Sequence, residues 1–511
     1  MNLSKSRYTR GVQCPKMLWM EAHLPEQFDD TVLNQAVLAT GNEVGDLAMG
    51  YYGRFTEIPF DAHDFAGMAR LTRELMEAGE PVICEATFER DGNLCMVDIL
   101  LNEPDGVRLV EVKSSTHLHD IYLHDMAYQC WLLDRCGYAV KSASLMHVNS
   151  SYVRKGELDL HGLFTVEDCT EVVRGMMGQV GERVAYLKAV ADDPAEPGES
   201  GALSQSLGME PGARDRCSIG PHCRSPYPCG YQRWCWRYVP HPSVFDLGGY
   251  GLVKAFKLVD QGLLTFDDVA NAGLRLKAIP QRQIEAHRTG KSPLVDVAFV
   301  RRFLAELAPP LYFLDFETYQ PAVPPFDGVR PYQQIPTQFS LHVVSDAEGA
   351  FEHREFLARE GTDPRRAVAE ALARAIPRDA RTVAYNMSFE RMVLKDLAVQ
   401  FPDLAAHLLA MRENMRDLMV PFRNGAYYAA AQGGSFSIKS VLPALFPDDP
   451  ELDYHALDGV RNGAQASAAF TDLTHMVPEE AARTREALLR YCELDTLAMV
   501  RIWQKLQEAV A

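Results

Sequence analysis

LCMVDILLNEPDGVRLVEVKSS, residues 94–115, holds two apolar, strand-like runs, each interrupted by acid. Asp98 breaks the first run, and thirteen residues later Glu111 and Lys113 stand two apart on the second. Residues two apart on a strand share a face, so Glu111 and Lys113 can converge with Asp98 on one point. Two carboxylates there suit a hard divalent cation such as Mg2+, and the lysine is placed to orient or deprotonate a water. A bare D…ExK pattern also fits an ordinary hairpin with exposed charges. The apolar flanks favour the first reading, because an ionised carboxylate on a buried strand is costly unless paired or metal-bound.

Around this stretch the pattern alternates. Residues 32–49 read as an amphipathic helix, 81–88 as a further strand and 122–135 as a helix carrying Tyr128 and a polar Gln129 on a mostly apolar surface. This predicts an α/β core. Residues 191–213 are rich in Pro, Gly, Ser and acids and read as a loop. Residues 244–308 read as mostly helical, and a new β-rich start follows at LYFLDFETY (311–319) and FSLHVV (339–344). A chain of 511 residues exceeds one ordinary core, and the expected partition is 1–240, a helical connector 241–309, and 310–511.

The second half has its own acids. Asp315 and Glu317 share one face of an apolar strand. In VAYNMSFERMVL (383–394) a strand breaks at Asn386 and a helix carrying Glu390 begins, while LLRYCELDTLAMV (488–500) sets Tyr491 and Asp495 four apart on one helical face. Asp417 is a reserve acid, and Tyr427, Tyr428, Phe436 and Lys439 are candidates either for a substrate groove or for packing.

Eleven cysteines, with no signal-peptide pattern at the N-terminus, point away from a disulfide framework and toward metal or catalytic thiols. Cys217, Cys223, Cys229 and Cys235 recur every six residues, the last three in PHCRSPYPCGYQRWC (221–235). That is not zinc-ribbon spacing. Zinc, an iron-sulfur cluster and inert buried thiols all remain open on spacing alone.

The net charge of −18 argues against a protein that coats nucleic acid nonspecifically, but does not exclude a nuclease whose acids hold metal ions. Two basic patches stand out against it: Lys5, Arg7, Arg10 and Lys16, and the group Arg214, Arg216, Arg224, Arg233 and Arg237 opposed by Asp215. Together they are a candidate phosphate-binding surface. No apolar run is long enough to span a bilayer, and a cytoplasmic location is expected.

With VDILL, EVK and the Tyr128–Gln129 pair in place, the first half resembles the RecB-like branch of PD-(D/E)XK nucleases, which includes CRISPR-associated spacer-acquisition nucleases. The resemblance implies that Asp98 and Glu111 hold Mg2+ or Mn2+, Lys113 assists catalysis and Gln129 supports the site. It also implies a 4Fe-4S staple with one cysteine before the core and three after it, which maps to Cys14, Cys223, Cys229 and Cys235 and leaves Cys217 spare. That branch often carries a histidine on its first helix. Here GNEVGDLA (41–48) offers Glu43 instead, and Glu85 is a further inward candidate.

The second half resembles DEDD exonucleases of the ribonuclease H-like fold, tyrosine subgroup. Asp315, Glu317, Glu390 and Asp495 would hold paired metals, with Tyr491 positioning water, although Glu390 stands where Asp is usual. In this order the two halves resemble a bacterial family of fused RecB-like and ribonuclease H-like proteins. The implied function is metal-dependent nuclease action on DNA ends or single strands, in repair or antiviral defence, with DNA favoured over RNA as partner. A partly degenerate, noncatalytic nucleic-acid-binding scaffold and an RNA-directed exonuclease are the alternatives.

Overall fold

The computed structural model describes residues 1–32, 35–197, 217–346 and 349–511 and has the expected α/β class. The chain forms two compact units. Unit 1 comprises Met1–Val239, Leu252–Gly262 and Pro321–Tyr332; unit 2 comprises Pro240–Gly251, Leu263–Gln320 and Gln333–Ala511. These differ from the expected partition at two places. The connector 241–309 divides between the units, and 321–332 groups with the first unit although it follows the first strand of the second sheet. Periodicity reports what a segment is, not which core it joins. Residues 198–213 of the expected loop, and Arg214, Asp215 and Arg216, lie outside the described residues.

Unit 1 opens with β1 (Leu3–Ser4), α1 (Lys5–Gln13), α2 (Pro15–His23) and α3 (Gln35–Met49). Next come β2 (Thr56–Glu57), α4 (Phe65–Glu77), β3 (Val82–Arg90), β4 (Asn93–Glu103) and β5 (Gly106–Lys113). The unit continues through α5 (Asp120–Arg135), β6 (Val140–Val148), β7 (Phe164–Asp168) and α6 (Thr170–Asp192). Its described strands make one sheet in the order β2-β3-β4-β5-β6-β7, with β1 parallel to β4. Asp91 and Gly92, both at positive φ, close the β3–β4 hairpin as the tight two-residue turn that Asp-Gly favours. β5 and β6 are parallel, so α5 crosses between them. α5 is buried along most of its length in a core with Leu100, Leu109, Leu145, Val180 and Leu187.

In unit 2, β8 (Leu311–Tyr319), β9 (Ile335–Val344), β10 (Phe351–Leu357), β11 (Arg381–Ala384) and β12 (Arg416–Asp417) form a mixed sheet ordered β10-β9-β8-β11-β12. β8 and β9 are antiparallel, whereas β11 runs parallel to β8. β8 therefore lies inside the sheet, and its acids sit within a core. The helices that follow are α7 (Arg365–Ala375), α8 (Ser388–Gln400), α9 (Pro402–Glu413), α10 (Ile438–Leu445), α11 (Gly463–Asp472) and α12 (Pro478–Glu508). α12 buries Leu488, Tyr491, Asp495, Met499, Ile502 and Trp503. Among the described residues no helix is long and apolar enough to cross a membrane.

Candidate functional site

In unit 1 the β4–β5 ladder ends at the Ile99–Val110 pair, so the strands part where Asp98 and Glu111 stand. Asp98 Oδ2 accepts from the Val112 N–H at 2.7 Å, which fixes that carboxylate beside the gap. Glu111 is fully buried and accepts from Lys113 Nζ and, at 2.6 Å, from Gln129 Nε2. Asp125, one turn before Gln129 on α5, accepts from Gln129 Nε2 at 3.1 Å and from Lys113 Nζ at 3.2 Å. The structure thus brings Asp98, Glu111, Lys113 and Gln129 together and adds two residues the sequence reading missed, Asp125 and Lys5.

Lys5 is the more consequential addition. Its Nζ donates to Asp98 Oδ1 at 2.9 Å and lies 3.3 and 3.4 Å from the two Glu111 oxygens. Burial works to raise the Glu111 carboxyl, yet Lys113, Lys5 and Gln129 hold it below the usual carboxylate range. Burial and then Glu111 push Asp98 up, and the same two causes bring Asp125 to about 6. Lys113 is held charged by Glu111 and Asp125 against the pull of burial. Glu85, opposite Asp98 on β3, adopts φ +56 and is pushed to about 7 by burial and by Asp98. A non-glycine residue in that region of backbone space is strained and worth a functional explanation. Glu43 is exposed on α3, while the hydrogen bonds around Glu111 come from Lys5, Lys113 and Gln129.

The unit 2 cluster is assembled from three directions. β8 supplies Asp315 and Glu317, α8 supplies Glu390, and α12 supplies Tyr491 and Asp495. Asn386, at φ +67, turns the chain from β11 into α8, and Asp417 holds that turn by accepting from the Asn386 N–H at 3.0 Å. Asp417 also accepts from the Met419 N–H and pairs with Arg423 at 3.3 Å, so the reserve acid is engaged in supporting the turn.

Burial, then Asp495, Glu390 and Glu317, raise Asp315 well above the ordinary range. Burial and Asp495 take Glu317 to about 8, burial takes Glu390 to about 8, and burial takes Asp495 to about 6 despite a hydrogen bond from Tyr454. Ligand atoms of Asp315, Glu317 and Cys492 lie within 4.8 Å of one another. Glu390 Oε2 is buried without a hydrogen-bond partner. Crowded, deeply buried oxygens with one acceptor left over fit a divalent cation, whose charge would relieve them.

Lys439 Nζ donates to Tyr491 OH at 3.1 Å and lines a cleft with Tyr454, His455 and Arg461. Tyr427 and Tyr428 take the packing role: they form a buried strand paired with Leu294–Val295. Phe436 is partly buried against the same core.

Cys14, Cys217, Cys223, Cys229 and Cys235 line one cavity together with Met17, Met20, Ile219 and Tyr231. Burial raises the Cys14 thiol first, and the other four thiols raise it further, so all five are electrostatic neighbours. Soft donors in an apolar pocket fit an iron-sulfur cluster or a soft metal. Cys217 shares the cavity with the four cysteines chosen for the staple. Cys130 is buried on α5 and Cys136 is half-buried at its end, as packing residues.

Several cations of the two basic patches are paired with acids. Lys5 is paired with Asp98 and Glu111, Arg7 and Arg10 with Glu21, and Lys16 and Arg237 with Glu196. Acids brought in from other parts of the sequence thus face these five cations, whereas Arg224 contacts Gln232 and the Trp236 ring rather than an acid, and Arg214 and Arg216 lie outside the described residues.

Among the missed residues, Asp125 left a signal: it stands four before Gln129 and faces the same way along the helix. Cys492 left one too, standing three before Asp495 on the same helix, whereas Lys5 and Tyr454 left none. Those two reach their clusters through the packing of distant elements rather than spacing.

Residues 312–437 match a family described as "Domain of unknown function (DUF2779)". The match includes Asp315, Glu317 and Glu390 and stops before α12. The chain is also similar to "Uncharacterized protein MG366 homolog" of Mycoplasma pneumoniae, 30% identical over 210 residues, which cover 37% of this chain and 31% of the relative. No solved structure matches the chain.

Proposed function

We propose that the chain is a metal-dependent nuclease with two phosphodiester-hydrolysing sites, a RecB-like PD-(D/E)XK site in unit 1 and a DEDD-type ribonuclease H-like site in unit 2, acting on DNA ends or single strands. The observation that carries this reading is the set of buried acids in each unit, each on neighbouring core elements and each joined by the polar side chain its motif requires: Gln129 on Glu111, and Tyr491 beside Asp495. Structural burial alone gives no reason to gather so much charge, since isolated buried carboxylates are strongly unfavourable.

Asp98 and Glu111 would hold Mg2+ or Mn2+ in unit 1; Asp315, Glu317, Glu390 and Asp495 would hold it in unit 2. Such an ion, when bound, polarises the phosphodiester and lowers the pKa of water. Lys113, kept charged between Glu111 and Asp125, orients a water or a phosphate oxygen rather than removing a proton. Gln129 fixes Glu111 and Asp125 relative to each other. Tyr491, fixed by Lys439, is the water-positioning group of unit 2. Cys14, Cys223, Cys229 and Cys235 would hold a 4Fe-4S cluster tying the N-terminal segment to residues about 210 positions later.

The test is degradation of end-labelled single- and double-stranded DNA and RNA with Mg2+, Mn2+ or EDTA. Metal-dependent DNA cleavage is the expected outcome. Binding without cleavage under every condition would favour the scaffold alternative, and cleavage of RNA alone would favour the RNA-directed one.

A further inference from the structure

We infer that Lys5 is a built-in occupant of the first cation position, so that its ammonium and a divalent ion compete for the gap between Asp98 and Glu111. This rests on the reading of those two acids as ion ligands. The ammonium bridges both carboxylates, at 2.9 Å from Asp98 and 3.3 Å from Glu111. Lys113 does not take that place, since its contacts are Glu111 and Asp125. Two lysines therefore serve one site differently: one braces the acids from the side, and the other fills the space between them.

The backbone carrying Lys5 is fixed. β1 pairs with the start of β4, and the Leu3 carbonyl accepts from Tyr128 OH at 2.6 Å. Lys5 opens α1, whose first turn is capped by Ser4 accepting from the Arg7 N–H at 3.3 Å. Tyr8 stacks on Tyr128 with ring centroids 4.7 Å apart. At the far end Gln13 Nε2 donates to the His222 and Tyr227 carbonyls at 2.8 and 2.7 Å, beside the cysteine cavity. With α1 held at both ends, the ammonium can leave only by rotation of its four-carbon stem.

A ligand whose position is filled by a competing group binds with an affinity reduced by the fraction of sites left open. Lys5 thus sets a metal threshold on unit 1. Among the described residues of unit 2 the nearest counterpart is Lys439, whose charge eases Asp315, Glu317 and Asp495 but whose hydrogen bond goes to Tyr491 and not to a pair of acids.

The test is a Mn2+ titration followed by electron paramagnetic resonance of the free ion. It uses the full chain with Asp315→Asn and Asp495→Asn in place, so that the remaining carboxylate site is read. Lys5→Met, which keeps the stem and removes the charge, should tighten Mn2+ binding about tenfold or more. Lys5→Arg should stay close to the parent, and Lys113→Met should gain less than Lys5→Met. If Lys5→Met does not fold, Lys5→Gln carries the same expectation.

Equal gains from Lys5→Met and Lys113→Met, or no gain from Lys5→Met, would overturn the occupancy of that gap by Lys5 while leaving the metal site standing. Absence of any Mn2+ binding that depends on Asp98 would remove both the site and the competitor.

Discussion

The buried acids of the two units are neutralised in different ways. Around Glu111 the protein supplies its own cations: Lys5 and Lys113 face Asp98, Glu111 and Asp125, and Glu111 stays ionised although fully buried. Around Asp315 the acids face one another. Burial and mutual repulsion raise Asp315 and Glu317, and Glu390 keeps an unpartnered oxygen. In the first arrangement lysines already contact the acids and the leftover oxygen is the amide oxygen of Gln129; in the second the leftover oxygen belongs to an acid, Glu390. Closely similar carboxylate chemistry can thus be held in a folded chain either by satisfying it internally or by leaving protons or a metal to do so.

The largest expected effect separates the two sites by activity. Asp98→Ala or Glu111→Ala should reduce one nuclease activity by about 10³-fold or more, and Asp315→Ala or Asp495→Ala a second, exonucleolytic one by a similar factor. Each variant should leave the other activity in place. One activity that answers to both pairs would merge the sites and end the comparison.

Loss of the cluster should come next in size. Anaerobically purified protein should contain about four iron and four sulfide per chain, Cys14→Ser should lose them, and Cys217→Ser should not. Because Cys217 lies in the same cavity, metal analysis of these two variants is a sharp check on which thiols bind. Stoichiometric zinc without sulfide would replace the cluster with a different metal.

Neutralising one acid in each unit should change stability with opposite signs in metal-free protein. Glu111→Gln removes the charge that Lys5 and Lys113 both contact and should destabilise unit 1 by about 1–3 kcal/mol. Glu317→Gln replaces an acid that must take up a proton to be buried with a neutral isostere and should stabilise unit 2 by about 1–3 kcal/mol at neutral pH. Hydrogen exchange at β5 and β8 reads the units separately, and equal signs would contradict the contrast.

The pH dependence follows from the same directions. Glu317 and Glu390 are raised to about 8, so the folded chain binds more protons than the unfolded one, and stability falls as pH rises from the ordinary carboxylate range through about 8. Glu111 is lowered, so its contribution is present above the ordinary carboxylate range and is lost as pH falls. Glu85 of unit 1, raised to about 7, is already largely titrated at the pH where Glu317 and Glu390 lose their protons. In EDTA, raising pH from about 7 to about 8.5 should therefore reduce protection at β8 clearly more than at β5, and Mn2+ should cancel the loss at β8.

The smallest effect belongs to Tyr491→Phe. It removes a hydroxyl that Lys439 contacts but no carboxylate, and should lower the second activity only about tenfold or less. A loss as deep as that of Asp495→Ala would make Tyr491 a principal group rather than a positioning one.

Much of this architecture was legible because acids interrupt apolar runs at fixed spacing. The alternation around Asp98 and Glu111 marked two strands, and the observed β4 and β5 extend the expected 94–101 and 107–112 by one or two residues at every end. The four-residue step from Tyr491 to Asp495 placed both on one face of α12. Less legible was the fate of the N-terminal cations. Lys5, Arg7, Arg10 and Lys16 read as a patch because no acid lies near them in sequence, yet Asp98, Glu111, Glu21 and Glu196 meet them in space.

The sequence by itself determined the α/β class, the strands that carry Asp98, Glu111, Asp315 and Glu317, and the helices that carry Gln129, Glu390, Tyr491 and Asp495, because side-chain period and backbone preference are local properties. Tertiary structure alone decided that Lys5 enters the gap between Asp98 and Glu111, that Asp417 supports a turn, that Cys217 joins the cavity of Cys14, and that 321–332 packs with unit 1. Those outcomes depend on which distant elements pair and on the cost of burying charge, and neither is written in the spacing of neighbouring residues.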